Sequence, residues 1–255
     1  MKISIVTAVY NSEATVGEAI ASVAAQTYPH VEHIIIEGRS TDRSLDAVEA
    51  ARHARMRVIS EADNGIYDAL NKGIAASTGD IVGFLHSDDS LAHADVLSRI
   101  ADAFRPSEIE AVFSDLDYVS RHDTGRVIRH WATGPFNPAR LKQGWMPAHP
   151  TLYLRRAVYE RLGGYDATFA IAADYDFILR YFTREPGASV YIPEVLYKMR
   201  MGGASNRDLA RIRRKMAEDY RALRRNKVGG VPTLLMKNMS KLRQFVQRAT
   251  PAERM

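Results

Sequence analysis

The first half of the chain alternates between short apolar runs and longer amphipathic stretches. Runs rich in Ile and Val that are bounded by polar residues predict buried strands, whereas apolar residues that recur every three or four positions predict helices. On this basis we predict strands at 3–9, 33–37, 57–60, 80–85 and 111–119, separated by helices at 13–26, 42–52, 65–76 and 93–104.

This alternation of strands and helices is typical of βαβ units, which are right-handed and build a mostly parallel sheet. Ligands of such sheets bind at the carboxyl ends of the strands. Polar side chains collect at the predicted strand ends, namely Thr7, Tyr10, Glu37, Glu61, Asp63, Asp88 and Asp89. The sequence therefore predicts an α/β fold with a binding site along one end of its sheet.

The pattern changes after about residue 120, where the regular alternation stops. Residues 133–150 are rich in Gly and Pro and predict a long loop, followed by a short strand at 151–154 and helices at 156–162 and 174–182. Further helices are predicted near 206–220 and 235–247. We therefore expect one domain over 1–205, with halves 1–120 and 121–205, and a helical extension over 206–255.

The composition is that of a globular protein with a real core, since 46% of the 255 residues are hydrophobic and 25% are charged. The chain has no cysteine, which excludes disulfides and thiolate metal sites and suits a reducing cytoplasm. The first residues do not have the pattern of a signal peptide, and no stretch approaches the about 18 apolar residues of a transmembrane helix. We expect a cytoplasmic protein.

The net charge of +5 is distributed unevenly along the chain. Residues 207–255 contain 14 Lys or Arg and 4 Asp or Glu, which gives +10, and the remainder carries −5. A mildly acidic body argues against general binding of nucleic acid. The basic extension has two interpretations: a solvated helical face, or a peripheral contact with an anionic membrane.

An acid pair, Asp88 and Asp89, ends the apolar run in GFLHSDDS at 83–90. Adjacent carboxylates repel each other unless something compensates their charge. One interpretation is a polar turn that caps the next helix; the other is a site for Mg²⁺ or Mn²⁺ that bridges carboxylates and a diphosphate. Neither a glycine-rich dinucleotide motif, nor a P-loop, nor zinc spacing, nor a G-x-S-x-G elbow is present.

Four stretches carry a resemblance to a known family. They are SIVTAVYNSEATVGEAIASVAAQTYPHVEHIIIEGRSTD, ADNGIYDALNKGIAASTGDIVGFLHSDD, AHPTLYLRRAVYERLGGYD and IAADYDFILR. In this order, over about residues 3–205, they resemble the family 2 glycosyltransferases, and most closely the bacterial branch that builds O-antigen, capsule and exopolysaccharide.

The resemblance implies a GT-A fold, in which a Rossmann-like nucleotide-sugar-binding half is joined to an acceptor-binding half with the catalytic base. It also implies an inverting transfer of a hexosyl or N-acetylhexosaminyl group from a nucleotide-sugar, with UDP as the expected nucleotide. Mn²⁺ or Mg²⁺ would be the cofactor. The acceptor would be a glycan or a lipid-linked glycan, which makes a peripheral position on the inner face of the cell membrane reasonable.

The same resemblance implies roles for individual residues. Thr7 and Tyr10 line the base pocket, Glu37 accepts from the base, and Asp63 and Asn71 lie in the stretch that closes over the nucleotide. Asp88 lies near the ribose or the waters of the metal, Asp89 is a direct metal ligand, and Asp174 is the catalytic base. Glu37 and His86 depart from the pattern, since the family usually has aspartate at position 37 and many members have an acid at position 86.

Three further residues are candidates for substrate contacts, each with a structural alternative. His149 would contact the acceptor or the diphosphate, or be a loop histidine. Trp145 would stack on an acceptor sugar, or lie in the core or a lid. Arg200, with Ser205 in RMGGAS, would belong to a loop that folds over the donor, or to an ordinary turn.

Two other functions compete with the glycosyltransferase. A sugar nucleotidyltransferase would need a glycine-rich basic loop after the first strand, which TAVYNSEAT lacks. An inactive carbohydrate-binding or scaffold protein would not need Asp88, Asp89 and Asp174, all of which are present.

Overall fold

A computed structural model of the chain describes residues 1–184, 186–202 and 209–243. Its strands are β1 (Ile3–Val9), β2 (Val31–Glu37), β3 (Met56–Ser60), β4 (Ile81–Phe84), β5 (Ser90–Leu91), β6 (Ile109–Val119), β7 (Val127–Trp131), β8 (Tyr153–Arg155) and β9 (Ala188–Arg200). Its helices are α1 (Val16–Ala24), α2 (Ser44–Ala50), α3 (Ile66–Ala76), α4 (Val96–Ala103), α5 (Pro138–Leu141), α6 (Arg156–Leu162), α7 (Ala173–Arg184), α8 (Leu209–Arg225) and α9 (Val231–Arg243).

The strands form a single mixed sheet in the order β3-β2-β1-β4-β8-β6-β9-β5, with β7 paired to β6. Strands β3, β2, β1 and β4 are all parallel, as the alternating pattern predicts. The chain leaves β1 toward β2 on one side and returns to β4 on the other. The carboxyl ends of β1 and β4 are therefore the switch point of the sheet, where ligands of open α/β sheets bind.

The second half of the sheet departs from the sequence prediction. Strand β8 lies antiparallel between β4 and β6, and β6 is parallel to the 13-residue strand β9, which the sequence did not predict. Strand β9 contains Pro193, which cannot donate a hydrogen bond to a sheet. The pairing register shifts there, from Ser114 opposite Ile192 to Asp115 opposite Val195, so that Pro193 lies in a bulge.

The core lies on both faces of the sheet. Helices α3, α6, α7 and α8 cover one face around Phe84 and Phe177, and α1 and α4 cover the other around Ile5 and Tyr153. The residues predicted as a long loop, 133–150, contain the short helix α5, and a single 3₁₀ turn at His149–Thr151 begins at their end.

The C-terminal helices form an α8–α9 hairpin that shares the core of the sheet domain. Helix α8 packs against α7, and Ala222, Leu223, Val228 and Leu234 are buried in the same cluster as Phe84 and Phe177. The part of the predicted extension that the structure describes is thus packed against the domain over 209–243.

Candidate active site

The acid pair lies in the turn that follows β4, next to the turn that follows β1. The hydroxyl oxygens of Ser12 and Ser87 lie 2.8 Å apart and join the two turns. The acids thus lie at the switch point of the sheet, where a ligand of this fold is expected.

Asp89 is almost completely buried, with 1% of its surface exposed. Its Oδ1 accepts a hydrogen bond of 3.0 Å from the backbone N–H of Arg200, and its buried Oδ2 has no partner among the described residues. Burial, followed by the negative charge of Asp88, raises the pKa of Asp89 well above its usual range. An ionised Asp89 therefore needs a positive charge that its surroundings supply only in part.

Asp88 is half-buried, and its carboxylate makes no hydrogen bond or ion pair with a described residue. Its backbone carbonyl accepts a hydrogen bond of 3.0 Å from Nη1 of Arg200. Of the two acids, Asp88 has the carboxylate that is free to contact a ligand.

Arg200 fastens the acid turn to the rest of the domain. It is buried with 6% exposure, and in addition to its bonds with Asp88 and Asp89 its Nη2 pairs with Glu18 of α1. The guanidinium therefore lies inside the domain, where it stabilises the acid turn, and does not lie on a loop over the donor. Ser205, which the sequence groups with Arg200, lies outside the described residues.

Asp174 lies in the first turn of α7 and is half-buried. Its Oδ1 accepts a hydrogen bond of 3.0 Å from the hydroxyl of Tyr67 in α3, which also lies 2.6 Å from the carbonyl oxygen of Ile171. Tyr67 thus fixes the orientation of the carboxylate.

The start of α7 is capped by a residue of another helix. The carboxylate of Glu218 in α8 accepts backbone N–H bonds from Ala170, Ile171 and Ala172, at 3.1, 2.8 and 3.0 Å. No capping bond from Asp174 itself occurs within the described parts of the chain. Asp174 is therefore free for another role.

His86 directly precedes the acid turn, and its ring lies 5.7 Å from that of His149. Burial lowers the pKa of His86, while the negative charges of Asp88 and Asp174 both act to raise it. The structure thus brings together two regions that lie far apart in sequence.

His149 is a buried neighbour of this cluster. Its Nε2 lies 2.7 Å from the hydroxyl of Tyr165, and its ring stacks on Phe84 at 5.5 Å and lies 5.7 Å from that of His86. Burial lowers the pKa of His149 to about 4, although the charge of Asp174 opposes this. The side chain is therefore neutral at pH 7 and is buried next to the site. This agrees with the interpretation of His149 as a structural loop histidine.

Two residues that were assigned to nucleotide binding, Tyr10 and Asp63, lie near Gly38. A Cβ atom at Gly38 would lie 2.2 Å from Oδ2 of Asp63, so Asp63 can approach this closely only because position 38 is glycine; the same Cβ would lie at an ordinary contact distance of 3.5 Å from Cδ2 of Tyr10. Tyr10 is 58% exposed, and Asp63 is bonded through Oδ1 to the N–H of Gly65 at 2.9 Å. An exposed ring beside a fixed carboxylate is suited to stacking on a planar base.

Two other residues that were assigned to the base pocket turn inward. Both carboxylate oxygens of Glu37 are bonded at 2.6 Å, to the N–H of Ser40 and the hydroxyl of Ser60. Burial acts to raise the pKa of Glu37, but these bonds outweigh it and the pKa is lowered. The hydroxyl of Thr7 is buried and lies 3.0 Å from Nε2 of His33. Both side chains stabilise the β1–β2 region.

Asn71 and Trp145 are also engaged within the protein. Asn71 exchanges two hydrogen bonds of 2.8 Å with the backbone of Tyr165, which joins α3 to the second half of the chain. Trp145 is buried among aromatic rings, including Phe113 and Phe182, and its Nε1 donates to the carbonyl oxygen of Thr133 at 2.9 Å. It lies in the core and is not placed to stack on a sugar.

Four residues that support the site were not identified from the sequence: Tyr67, Tyr165, Tyr197 and Glu218. Tyr197 of β9 donates to the carbonyl oxygen of Phe84 at 2.8 Å and accepts from the N–H of His86 at 3.2 Å. Glu218 could have been singled out from the sequence, because Glu218 and Asp219 are the only acids in the otherwise basic helix α8. Both side chains are buried in the structure.

Comparison with known proteins places this site in context. Residues 4–177 match the family model described as glycosyl transferase family 2. A PGL/p-HBAD biosynthesis glycosyltransferase of Mycobacterium bovis is 31% identical over 211 residues, which cover 80% of this chain and 78% of that protein. An uncharacterised glycosyltransferase of Mycobacterium tuberculosis is 31% identical over 180 residues, which cover 70% of this chain and 68% of that protein.

Solved structures share the fold at low sequence identity. TarS of S. aureus, residues 1–349, has a TM-score of 0.70 at 17% identity, with 98% of this chain and 76% of that chain covered. The same TarS region in complex with UDP-GlcNAc has a TM-score of 0.68 at 18% identity, covering 89% and 66%. The mannosyltransferase PcManGT of Pyrobaculum calidifontis, in complex with GDP-Man and Mn²⁺, has a TM-score of 0.65 at 16% identity, covering 98% and 77%.

Proposed function

The chain belongs to glycosyl transferase family 2, and from its site we propose an inverting, metal-dependent transfer of a sugar from a nucleotide-sugar to an acceptor hydroxyl. The observation that carries this proposal is the presence of two separate acidic groups: the pair Asp88 and Asp89 after β4, where the buried Oδ2 of Asp89 has no partner among the described residues, and Asp174, whose Oδ1 lies 3.0 Å from the hydroxyl of Tyr67. One carboxylate would lie on the side of the leaving diphosphate and the other on the side of the acceptor, as a single displacement at the anomeric carbon requires.

In the proposed reaction Asp174 is the general base. The acceptor hydroxyl attacks the anomeric carbon, the bond to the diphosphate breaks, and the hydroxyl proton passes to the carboxylate. General-base assistance of this kind contributes about 10²–10⁴-fold to the rate. The hydrogen bond of 3.0 Å from Tyr67 holds Oδ1 of Asp174 and leaves the other oxygen for the proton.

The acid pair fits a divalent cation. Asp88 has a free carboxylate, and Asp89 has a buried oxygen without a partner among the described residues. Carboxylate oxygens are the ligands that Mg²⁺ and Mn²⁺ prefer. No group of three or more potential ligands occurs within residues 1–184, 186–202 and 209–243, so water and the donor diphosphate would complete the coordination.

When bound, the cation would offset the charge that develops on the leaving diphosphate. Because Oδ1 of Asp89 is already bonded to Arg200, we assign the direct contact first to Asp88, with Asp89 as the second acid. The complex of PcManGT with Mn²⁺ supports the same cofactor here.

For the donor we propose a UDP-linked hexose or N-acetylhexosamine, which the complex of TarS with UDP-GlcNAc supports. The exposed ring of Tyr10, beside Gly38 and Asp63, would stack on the base. For the acceptor we propose a hydroxyl of a glycan or lipid-linked glycan in surface polysaccharide synthesis. The basic C-terminal segment, at +10 over 207–255, supports a position on the inner face of the membrane.

The experiment measures release of UDP from a panel of UDP-sugars with and without Mn²⁺. We expect one donor to give metal-dependent turnover. Asp174→Asn should lower kcat by about 10²-fold or more while UDP affinity stays within about threefold, because it removes only the base. Asp88→Asn should abolish the effect of Mn²⁺ on UDP binding.

Asp46→Asn, which changes an exposed acid on α2, is the matched control and should leave both measurements unchanged. Unchanged turnover in Asp174→Asn would refute the base assignment. A folded protein that binds no nucleotide with any metal would instead favour a carbohydrate-binding scaffold.

A further inference from the structure

Exposed apolar side chains concentrate on the α8–α9 hairpin. Of 13 large hydrophobic residues that are exposed in the described parts of the chain, seven lie within residues 212–239. They are Ile212, Met216 and Tyr220 on α8, and Val231, Leu235, Met236 and Met239 on α9. We call these seven residues the hairpin face.

Helix α9 has its apolar side turned outward. Val231, Leu235 and Met239 are spaced four residues apart, so they share one side of the helix, and they are 55%, 53% and 64% exposed. The opposite side carries Thr233 and Lys237, which are buried. A helix of a protein that meets only water normally has the reverse arrangement.

This orientation of α9 is fixed by specific contacts. Nζ of Lys237 lies 2.8 Å from Oδ1 of Asp219 and 3.2 Å from the centre of the Tyr175 ring. The backbone of α9 also passes so close to Gly144 that a Cβ atom there would lie 2.5 Å from Cα of Lys237. The outward apolar side therefore belongs to the folded structure.

Helix α8 repeats the pattern with basic residues added. Ile212, Met216 and Tyr220 are again spaced four apart, and each is about 40% exposed. Arginines accompany them along the helix, at positions 211, 213, 214, 221, 224 and 225. Tyr220 lies beside the turn that leads into α9, because a Cβ atom at Gly230 would be 4.0 Å from its ring.

A basic cavity lies next to the hairpin turn. It has a volume of about 440 Å³, and its lining includes Lys142, Arg184, Arg225 and Lys227. Within the part of the chain that the structure describes, Lys142, Arg184 and Lys227 form no ion pair with an acid. The cavity thus offers three cations to an anionic group.

We propose that the hairpin face inserts into the surface of an anionic phospholipid bilayer, with the basic cavity taking a lipid phosphate. Apolar side chains on one side of a helix, flanked by Lys and Arg, are what an interfacial membrane contact requires. None of the described helices is long and apolar enough to cross a bilayer, so the contact is peripheral. A second copy fits less well, since two basic hairpins would repel each other.

The proposal differs from a purely electrostatic contact of the basic tail, because it assigns insertion to named apolar side chains. It also places the membrane next to the acceptor half, since α8 holds the segment before Asp174 through Glu218. Binding to lipid is measured without a sugar donor, so its failure would leave the proposed transfer reaction untouched.

The test is cosedimentation of the full-length protein with vesicles of phosphatidylcholine, alone or with about one third phosphatidylglycerol. We expect binding to the anionic vesicles at least tenfold tighter than to the neutral ones. Leu235→Ser with Met239→Ser should weaken it by about tenfold or more, because two inserted side chains are lost. Replacing Lys142, Arg184 and Lys227 by Gln should reduce the preference for phosphatidylglycerol, while the arginines of α8 keep part of it.

Insertion can be observed directly, because the chain has no cysteine of its own. An environment-sensitive fluorophore on Met239→Cys should shift to the blue when anionic vesicles are added. The same label on Ile128→Cys, a residue of β7 that is 46% exposed, is the matched control and should not shift.

Three outcomes would overturn the proposal. The folded protein could fail to bind anionic vesicles, or the double serine variant could bind them as tightly as the wild type. Alternatively, the label at position 239 could respond to protein concentration and not to lipid, with the serine variant dissociating a dimer, which would make the hairpin face a contact between copies.

Discussion

The carboxylate of Asp174 and the carbonyl oxygen of Ile171 compete for the single hydroxyl hydrogen of Tyr67. The hydroxyl of Tyr67 lies 3.0 Å from Oδ1 of Asp174 and 2.6 Å from the carbonyl oxygen of Ile171, and a phenol has only one hydrogen to donate. The hydroxyl of Tyr67 therefore donates to only one of these oxygens at a time, although it lies within hydrogen-bonding distance of both. Its effect on the reaction would be to position the base, since it does not itself take the proton.

Tyr67→Phe tests this positioning role. We expect kcat to fall by about tenfold, because a positioning hydrogen bond to a charged group contributes about 1.5 kcal/mol or more, while KM for the donor stays unchanged. Steady-state kinetics with the active nucleotide-sugar measures both. Tyr220→Phe, at an exposed tyrosine, is the control; equal kcat for the two variants would contradict the assignment.

His33 makes the stability of the fold sensitive to acid. Its ring lies 3.0 Å from the hydroxyl of Thr7 and 3.3 Å from the ring of His53. Burial, with smaller contributions from the charges of His53 and Arg55, lowers the pKa of His33 to about 3. Below pH 6.5 the unfolded chain therefore binds a proton that the folded chain does not.

The folded state should thus lose stability as the pH falls from 6.5 toward 3. For His33 alone the loss is about 1.4 kcal/mol per pH unit, or about 2 kcal/mol at pH 5. His33→Gln cannot titrate and keeps a hydrogen-bonding group. Urea unfolding at pH 7 and pH 5 should show a smaller loss for the variant, and equal losses would mean that His33 takes up its proton in the folded state.

At the scale of elements, helix α7 depends on helix α8. Glu218 accepts three backbone N–H groups directly before α7, and burial of its carboxylate is outweighed by these bonds and by Arg214, so that the pKa of Glu218 is lowered. Helix α8, which belongs to the C-terminal segment, therefore fixes the position of the residues directly before α7, the helix that carries Asp174.

Glu218→Gln should destabilise the protein by about 1–3 kcal/mol, because an uncharged amide with one acceptor oxygen replaces a buried carboxylate. It should also lower kcat while UDP affinity is kept. Chemical denaturation and kinetics measure the two effects. Arg214→Gln removes only the ion pair at 3.0 Å, whose arginine is exposed, and leaves the three backbone bonds of Glu218 in place, so it should cost about 1 kcal/mol or less. If the two variants behave alike, Glu218 does not hold the loop.

The elements that could be predicted from sequence are those whose pattern is local. Strands β1 to β4 and their helices have continuous apolar runs or helical spacing, and the structure confirms them. Strand β9 could not be predicted, because Pro193 and Glu194 interrupt it and its pairing with β6 is decided far away in sequence. The roles of Glu37 and Asn71 were hidden for the same reason, since their partners lie in other elements.

At the scale of the whole molecule, the described part of the C-terminal segment is a structural part of the enzyme. The sequence predicts a basic helical extension over 206–255, and the buried positions of its described part lie in a core shared with the sheet. Leu223 is completely buried in the cluster that also contains Phe177 of α7, whereas Ile212 on the same helix is 40% exposed. The outer side of the hairpin is thus available for a membrane while the inner side supports the site.

Leu223→Ala should therefore lower the free energy of unfolding by about 2–5 kcal/mol, as expected for a leucine in a packed core. Ile212→Ala, on the exposed side, should change it by about 0.5 kcal/mol or less. The unfolding transition should remain single when followed both by tryptophan fluorescence, which reports on Trp131 and Trp145, and by helical circular dichroism. If the hairpin were an independent appendage, Leu223→Ala would leave the fluorescence transition in place and produce a separate early loss of helix.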